Sequence, residues 1–503
     1  MKIHIVANRN KPVDMPICSS DIPTDYMVNW IPTVSLEEMA STEYDAIIIG
    51  SGAGGGAVLW RLCEHWKNSG KRIAMLEAGD ALIPTHVNNI VTMNEERAAK
   101  YLANPQISKT IGGMSSEFPG ALLVSILGGR TVFWGAVTPR LHASEFETWP
   151  ITFQEMEKYY NIAEEAMNVS SLYTQGSSYT NVLLQRLRAH GYPQAQPMPL
   201  ATDLQTTQYG QIHSNSFFSS IVFLGRAIHL NPFDLAVKAR AVRIFTDNHR
   251  ASGVKVMTAD MKSFVIKAKN VIVSASTLES PRLLLSSGIP GKAIGHYLSN
   301  HSIVIAPATI KRTEFPELLG VLGIMLPYSV EQPFQVQIGG DFWRQEEQIP
   351  LRDKLQFVLS TYGRVEPRFE NKISLDPNRI DRYGMPEIKI HFSYSDKDKE
   401  VIRQASATLS SISLAMGSQI ETQNGIPDIC RRPEGRPFHD FGTCRMGHNS
   451  ATSVTNRYGQ IHGISGLFVA DNSVLPSNGG ANPTLTTVAL AIRTADYIAH
   501  YGK

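Results

Sequence analysis

A chain of 503 residues, 43% hydrophobic and 18% charged, has the composition of an ordinary globular protein with a sizeable core. This length fits up to three domains, or one large two-lobed enzyme. The formal net charge of +2 creates no global field, so nucleic acid is not expected as a partner. No apolar run approaches the ~18 residues that span a bilayer, so no membrane span is expected.

The four cysteines, Cys18, Cys63, Cys430 and Cys444, are scattered without the spacing of a zinc site or a disulfide framework. We therefore expect no metal, and a small packed residue rather than a nucleophile at Cys444. The first residues lack the sustained apolar core and the cleavage site of a signal peptide. These features predict a reduced, cytoplasmic protein.

Two segments near the N-terminus carry weak patterns. Residues 1–40 are rich in proline and polar side chains and predict an arm before the first strand. Residues 81–125 carry helical and loop patterns, with a helical stretch at 94–101.

Between them, residues 44–80 carry the most informative pattern in the chain. A short apolar run predicts a buried parallel strand, and Gly50, Gly52 and Gly55 then fit G-x-G-x-x-G ahead of a helical pattern. Such glycines let the backbone approach a pyrophosphate at the N-terminus of the helix. Glu77 ends a second apolar run, about 20 residues beyond the glycines, where it is placed to accept hydrogen bonds from an adenosine ribose.

Residues 126–140 read ILGGRTVFWGAVTPR. Gly128 and Gly129 permit a close backbone approach, and Trp134 with Gly135 follows directly. Taken alone, this segment predicts a tight turn with a buried aromatic ring.

The next region is expected to leave the nucleotide unit. A turn at 149–150 leads into an amphipathic helix that ends near residue 168. Residues 171–220 are rich in Ser, Gln, Thr and Tyr and predict loops or a lid.

Residues 233–289 return to short strands. Apolar runs at 235–237, 241–244, 251–256 and 263–266 predict strands, and a further strand at 271–273 ends in small residues before a leucine-rich helix.

Residues 301–393 alternate apolar and polar side chains in four short runs, at 302–306, 334–338, 355–359 and 387–392. This period predicts half-buried strands in an antiparallel sheet with one open face, which would form the floor of a substrate pocket. A helix at 395–417 is expected to return the chain to the first domain.

The C-terminal fifth contains a strand at 467–470 that ends in Asp471, and a helix that begins at Asn482 and Pro483. Asn is a good N-cap, and Pro is pre-organised for the first helical position. The positive N-terminus of this helix would stabilise an anion in front of it.

Together, these motifs resemble the glucose-methanol-choline oxidoreductases, with TVFWGAVTPR most similar to the pyranose 2-oxidase branch. The resemblance implies bound FAD. Phe133 stands where that branch carries a flavin-linked histidine, so the FAD is expected to be noncovalent. The implied FAD contacts are Gly50, Gly52, Gly55, Glu77, Gly128, Gly129, Thr131, Trp134, Gly135, Ala136, Val237, Ala275, Asp471, Pro483 and Thr484.

The resemblance also places the catalytic pair at His439, in the segment FHDFGTCRMG, and Asn482. An imidazole suits a base near neutral pH, and an amide can hydrogen-bond the reacting oxygen. We expect His439 to take the hydroxyl proton while a hydride passes to flavin N5, with a rate that rises with pH as His439 deprotonates.

The implied fold is α/β, with a Rossmann-like FAD-binding domain interleaved with a substrate domain built on an antiparallel sheet with helices. The expected boundaries place the FAD-binding domain at 41–150, 221–300 and 430–503, and the substrate domain at 151–220 and 301–429.

Within the family, the chain looks most like enzymes that oxidise sugar hydroxyls: pyranose oxidases, glucoside 3-dehydrogenases and the aminoglycoside 6′-oxidases of antibiotic pathways. The electron acceptor would be oxygen, a quinone or a redox protein. Two alternatives stay open, namely a flavoenzyme for a sterol, choline or aliphatic alcohol, and a catalytically inactive FAD-binding subunit.

Overall fold

The computed structural model describes residues 30–111, 117–203, 217–315, 319–340, 353–436 and 439–502. The α-helices in these ranges are α1 (Leu36–Ala40), α2 (Ala53–His65), α3 (Glu95–Leu102), α4 (Phe153–Met167), α5 (Ser178–Ala189), α6 (Ile221–Leu230), α7 (Ser276–Ser286), α8 (Asp396–Met416) and α9 (Thr484–Tyr501).

The strands in the same ranges are β1 (Glu43–Ile49), β2 (Ile73–Leu76), β3 (Ser108–Thr110), β4 (Leu122–Val124), β5 (Val169–Ser170), β6 (Gln196–Pro197), β7 (Leu200–Ala201), β8 (Asp234–Ala236), β9 (Arg240–Asp247), β10 (Arg250–Met257), β11 (Ser263–Val273), β12 (Ser302–Lys311), β13 (Gly323–Leu326), β14 (Phe334–Gly339), β15 (Lys354–Gly363), β16 (Lys372–Ile380), β17 (Pro386–His391), β18 (Gln419–Ile420), β19 (Thr422–Gln423), β20 (Ile426–Pro427), β21 (Cys430–Arg431) and β22 (Leu467–Val469).

The first large sheet has the strand order β8-β2-β1-β11-β10-β9, and β22 pairs with β11. Strands β8, β2, β1, β11 and β22 are parallel to one another, whereas β10 and β9 extend the sheet as an antiparallel hairpin. Ala46, Ile47 and Ile48 of β1 are fully buried, as a central parallel strand covered on both faces requires. Helix α2 packs against α9, and the carboxyl ends of the parallel strands share one edge of the sheet.

The second large sheet is antiparallel, with the order β18-β12-β15-β14-β13-β6 and β21 paired to β12. On β15, Phe357 and Leu359 are buried in a core shared with α5 and α8, whereas Val358 is exposed. This alternation confirms the half-buried strand predicted at 355–359, whereas β14 is buried on both faces, because Gln335 and Gln337 lie against Asn482. The face opposite the helices lines the main cavity, as expected for the floor of a pocket.

Two predictions about this half of the chain were wrong. Strand β17, from the run at 387–392, pairs with β16 in a separate two-stranded sheet. Helix α8 begins in a capping box formed by Ser395 and Asp398, and it packs on β12 and β15 instead of leading back to the first sheet.

Other differences arise where polar residues obscured a local pattern. Residues 171–220 contain α5, whose first turn is capped by the Ser177 side chain, and residues 204–216 lie outside the described part of the chain. Within the predicted arm, α1 has a capping box of Ser35 and Glu38, while residues 1–29 lie outside the described ranges. Strand β11 is continuous across the two runs that predicted separate strands. The expected domain boundaries stay a prediction.

The helices in the described ranges do not combine the length and the apolar character that a membrane crossing needs.

Candidate active site

One cavity of about 910 Å³ lies between the carboxyl edge of the parallel sheet and the open face of the antiparallel sheet. Its walls include the glycine turn after β1, the segment after Gly128, the N-terminal turn of α9, and strands β14 and β15. A cleft of this size that joins two sheets is where α/β proteins bind nucleotides and small substrates.

At one end of the cavity, the glycine turn leaves the N-terminus of α2 open. Gly50 has φ +102°, and a Cβ there would lie 2.3 Å from the carbonyl oxygen of Ser274, so only glycine fits. Gly52 begins α2 without a side-chain cap, and the first helical turn holds no acidic residue. A Cβ on Gly52 would meet nothing within 4 Å, so the backbone faces open space suited to an anion.

Glu77 lies on the same wall with a side chain that is already hydrogen-bonded. Its Oε2 accepts bonds from the Ser51 amide at 3.1 Å and hydroxyl at 2.6 Å, and its Oε1 accepts a bond from the Gly79 amide at 2.7 Å. Burial raises the pKa of the carboxyl, while these bonds and Arg240 act in the opposite direction. Glu77 therefore braces the glycine turn as well as lining the cavity.

The segment after Gly128 forms a second turn against the first. Gly128 has φ +88°, and its amide donates to the Ser51 hydroxyl at 3.0 Å. Trp134 is anchored at both ends, because its indole N–H donates to the Phe218 carbonyl at 2.8 Å and its own carbonyl lies 2.8 Å from His86 Nε2. The predicted tight turn is confirmed, and Phe133 lies on the cavity lining.

His439 and Asn482 are brought together at the other end of the cavity. His439 Nε2 lies 3.3 Å from Asn482 Nδ2, and the His439 ring lies 5.3 Å from the Tyr362 ring. Burial, followed by the neighbouring His301 and Arg130, holds the pKa of His439 well below its usual value of 6.5. His439 is therefore a neutral imidazole at neutral pH.

Asn482 is not the N-cap that the sequence predicted. The residue at the N-cap position of α9 is Pro483, and no side chain caps the helix. The Asn482 Oδ1 atom instead accepts hydrogen bonds from Gln337 Nε2 at 2.6 Å and Gln335 Nε2 at 3.0 Å. These bonds hold the Asn482 side chain inside the site. The backbone N–H groups at the start of α9 are therefore not capped by a side chain and face the cavity.

Most of the predicted site residues lie on the cavity lining. These are Gly50, Gly52, Glu77, Gly129, Thr131, Trp134, Gly135, Ala136, Ala275, His439, Asp471, Asn482 and Thr484. Both carboxylate oxygens of Asp471 are engaged by neighbouring groups, which include the Ser276 amide and the Ser280 hydroxyl.

Four predicted FAD contacts lie off the lining, namely Gly55, Gly128, Val237 and Pro483. A Cβ on Gly55 would lie 1.9 Å from the Gly50 carbonyl oxygen, so this glycine lets α2 pack on the turn. Contact between these four residues and FAD stays a prediction. Cys444 is fully buried, and burial raises the pKa of its thiol, which matches the expected packing residue.

Sequence reasoning missed several residues that surround the catalytic pair. Gln335 and Gln337 occupy one face of the alternating run at 334–338, so the period of two was a usable signal. Tyr362 carried no local signal. His301, whose Nδ1 lies 2.9 Å from Nδ1 of His439, carried none beyond its position before an alternating strand.

The fold and the cavity are those of an α/β protein that binds a nucleotide at the carboxyl edge of its parallel sheet. Two family models described as GMC oxidoreductase match residues 44–303 and 367–491, and the chain therefore belongs to the GMC oxidoreductase family. Proteins of this family bind FAD, and the chain is an FAD-dependent oxidoreductase that acts on alcohol groups.

Similar proteins cover nearly the whole chain. A C-glycoside 3-oxidase from Microbacterium trichothecenolyticum is 26% identical, over 91% of this chain and 96% of its own length. A paromamine 6′-oxidase from Streptomyces fradiae is 25% identical, over 91% of both chains. The crystal structure of a pyridoxine 4-oxidase from Mesorbium loti superposes with a TM-score of 0.68 at 16% identity, over 91% of this chain and 99% of the other; this likeness concerns the fold.

The cavity walls fit FAD. A Cβ on Gly52 or on Gly135 would meet no atom within 4 Å, so the backbone is open to the cavity at both positions. These two backbone segments form a cradle for a flat dinucleotide. The uncapped N-termini of α2 and α9 both favour negative charge in the cavity. The charged pyrophosphate would lie at the α2 end, which leaves the α9 end, beside His439, for the reactive ring.

Proposed function

We propose that this protein oxidises a hydroxyl group of a sugar, or of a sugar-containing small molecule such as a pyranoside or an aminoglycoside, to the carbonyl. The observation that carries the proposal is the wall around His439, which combines a neutral imidazole with amide and hydroxyl side chains. Gln337, Ser360 and Tyr362 line this wall together with Asn482. Such groups match the alternating donors and acceptors of a polyhydroxylated ring.

His439 acts as the base through Nε2, the ring nitrogen that faces Asn482. When substrate is bound, Nε2 takes the hydroxyl proton, and the Asn482 amide donates a hydrogen bond to the oxygen that loses it. Bound FAD supplies the acceptor for the hydride that leaves the carbon atom bearing this hydroxyl group. The N-terminus of α9, with no acidic residue in its first turn, favours negative charge at this end of the cavity.

The low pKa of His439 changes the expected pH dependence. A base that is already neutral below pH 6.5 does not limit the rate near neutral pH. The acid limb of flavin reduction, expected from the sequence near the ordinary histidine range, should therefore lie well below pH 6.5.

The sugar class is supported by two relatives whose names state that they oxidise a C-glycoside and paromamine. The acceptor is oxygen, a quinone or a redox protein. A place in antibiotic biosynthesis and a cytoplasmic location stay predictions.

FAD binds without a covalent link to Phe133. This side chain lines the cavity but carries no nucleophilic atom, so the backbone cradle and the helix N-termini supply the affinity.

Flavin bleaching under anaerobic conditions tests the proposal. Purified holoenzyme is mixed with a panel of pyranoses, glycosides and aminoglycosides, and with choline, a sterol and long aliphatic alcohols. At least one sugar should reduce the flavin faster than every non-sugar alcohol. Faster reduction by a sterol, by choline or by an aliphatic alcohol overturns the substrate class, and no reduction by any alcohol supports an inactive subunit.

The same assay tests the base. His439→Ala should retain FAD and reduce it roughly 10²–10⁴ times more slowly, the usual contribution of a positioned acid–base group. His448→Ala is the matched control, because His448 is an exposed histidine in the same segment. Reduction of His439→Ala at the wild-type rate would overturn the mechanism and leave the family assignment standing.

A further inference from the structure

His301 is a buried histidine, 1% exposed, that lies outside the cavity lining. It contacts the Nδ1 side of the His439 ring, whereas Asn482 lies at Nε2. Nδ1 of His301 lies 2.9 Å from Nδ1 of His439, and the two rings are perpendicular. This is the distance of a hydrogen bond, so one proton lies between the two nitrogens.

Both rings are neutral at neutral pH. Burial lowers the pKa of His301 to about 4 and holds that of His439 well below 6.5. Arg130, whose charge helps to lower the pKa of His439, forms a salt bridge with Asp440 at 3.0 Å. Each neutral ring carries one proton, so one Nδ1 donates and the other accepts.

The groups around Asn482 decide which ring donates. Gln337 and Gln335 both donate to Asn482 Oδ1, so its Nδ2 is the atom turned towards His439 Nε2, at 3.3 Å. An amide nitrogen is only a donor, so this Nε2 must be unprotonated. The single proton of His439 therefore resides on Nδ1 and points at His301.

The backbone around His301 agrees with this arrangement. Backbone interactions at Asn478 and Gly479 raise the pKa of His301, as bonds donated by a ring N–H do. The Asn478 Nδ2 atom lies 3.3 Å from His301 Nε2, so that two N–H groups would face each other, while the Asn478 Oδ1 atom has no hydrogen-bond partner among the described residues. The arrangement therefore requires the two ends of the Asn478 amide to be exchanged, so that Oδ1 accepts the Nε2–H of His301 and the unpartnered oxygen is satisfied.

We propose that His301 is a positioning residue that accepts the Nδ1 proton of His439 and so keeps Nε2 bare towards the substrate. This inference rests on the proposed role of His439 as the base. When the substrate O–H bond breaks and the Nε2–H bond forms, Nδ1 keeps its proton and its hydrogen bond to a neutral acceptor. The ring therefore neither turns nor changes tautomer during the step.

Two substitutions with opposite expectations separate this role from simple packing. His301→Leu fills much of the space without an acceptor, and flavin reduction should slow by about 10- to 100-fold, as happens when the partner that orients a metal-binding imidazole is removed. His301→Gln places an amide oxygen near the Nδ1–H and should retain most of the rate. If His301 only packed, the leucine variant would react as fast as the glutamine variant or faster.

His296→Leu is the matched control. His296 is a partly buried histidine whose ring bonds the Phe369 carbonyl, away from the cavity lining, so its loss should leave flavin reduction unchanged. Flavin content of each variant shows whether it has folded and bound FAD.

A measurement on unsubstituted holoenzyme keeps the proposal testable if the leucine variant does not fold. In protein with ¹⁵N-labelled histidine, the His439 signals are identified by their loss in His439→Gln. They should show a protonated Nδ1 and a bare Nε2 at neutral pH. A protonated Nε2 overturns the proposal, as does an unchanged rate in folded His301→Leu. If instead His439→Ala has no effect, the proposed base fails, which is a different outcome.

Discussion

Replacing Glu77 by glutamine tests what the carboxylate after β2 does. The sequence predicted a bond to an adenosine ribose, whereas the structure adds a second role, because Ser51 and Gly79 already donate three hydrogen bonds to this side chain. Glutamine keeps the shape but turns one acceptor oxygen into an NH₂ group. That group must face the Ser51 amide or the Gly79 amide, and two donors then oppose each other.

The size of the effect follows from the bonds that are lost. A hydrogen bond to a charged group contributes about 1.5–3 kcal/mol, and Glu77 is only 5% exposed, so water does not replace it. In the FAD-free protein, such a loss lowers the midpoint of thermal unfolding by about 1.5–3 °C for a chain of this size. If the remaining lone pairs also bind the ribose, the Kd for FAD rises by about 10- to 150-fold.

Calorimetry of the FAD-free protein and titration of FAD by flavin fluorescence measure the two effects separately. Glu64→Gln is the matched control, because Glu64 is exposed on α2 and pairs with Arg61, and it should leave FAD affinity unchanged. A lower midpoint with unchanged FAD affinity would mean that Glu77 only braces the turn. Unchanged values of both would refute the reasoning from burial and hydrogen bonding.

Three further results are expected. Burial lowers the pKa of His86 to about 4, so the native ring binds fewer protons than the same residue in the unfolded chain. The resulting stabilisation, about 3 kcal/mol, is full above pH 6.5 and is lost as the pH falls towards 4. Denaturation at several pH values should therefore show that the free energy of unfolding depends less steeply on pH in His86→Gln than in the wild type. Asn482→Ala should slow flavin reduction and also lower thermal stability, because two buried glutamine donors lose their acceptor. Each unsatisfied buried group costs about 1–3 kcal/mol of folding free energy. An unchanged melting temperature would contradict this hydrogen-bond network. Acid precipitation should leave the flavin in the supernatant, and colour in the pellet would disprove noncovalent binding beside Phe133.

Family resemblance and local pattern both contributed to the expected site. The glycine turn, Glu77 and the start of α9 could be located because each depends on a few consecutive residues. His439 was located by its motif, since a single histidine carries no spacing that marks a base. The catalytic roles of His439 and Asn482 stay proposals until the variants are measured.

The sequence by itself determined the elements whose signal is local: β1, α2 and β2 from periodicity and glycines, and strands β12, β14 and β15 of the second sheet from alternation. Tertiary structure alone decided which strands pair and which side chains meet. It placed β17 in a separate sheet, and it turned the Asn482 amide away from the end of α9 towards two glutamines of β14. It also brought His301, which directly precedes β12, to His439 across 138 residues of chain. A periodicity reports the burial of one element, whereas a hydrogen bond between two elements depends on the position of both.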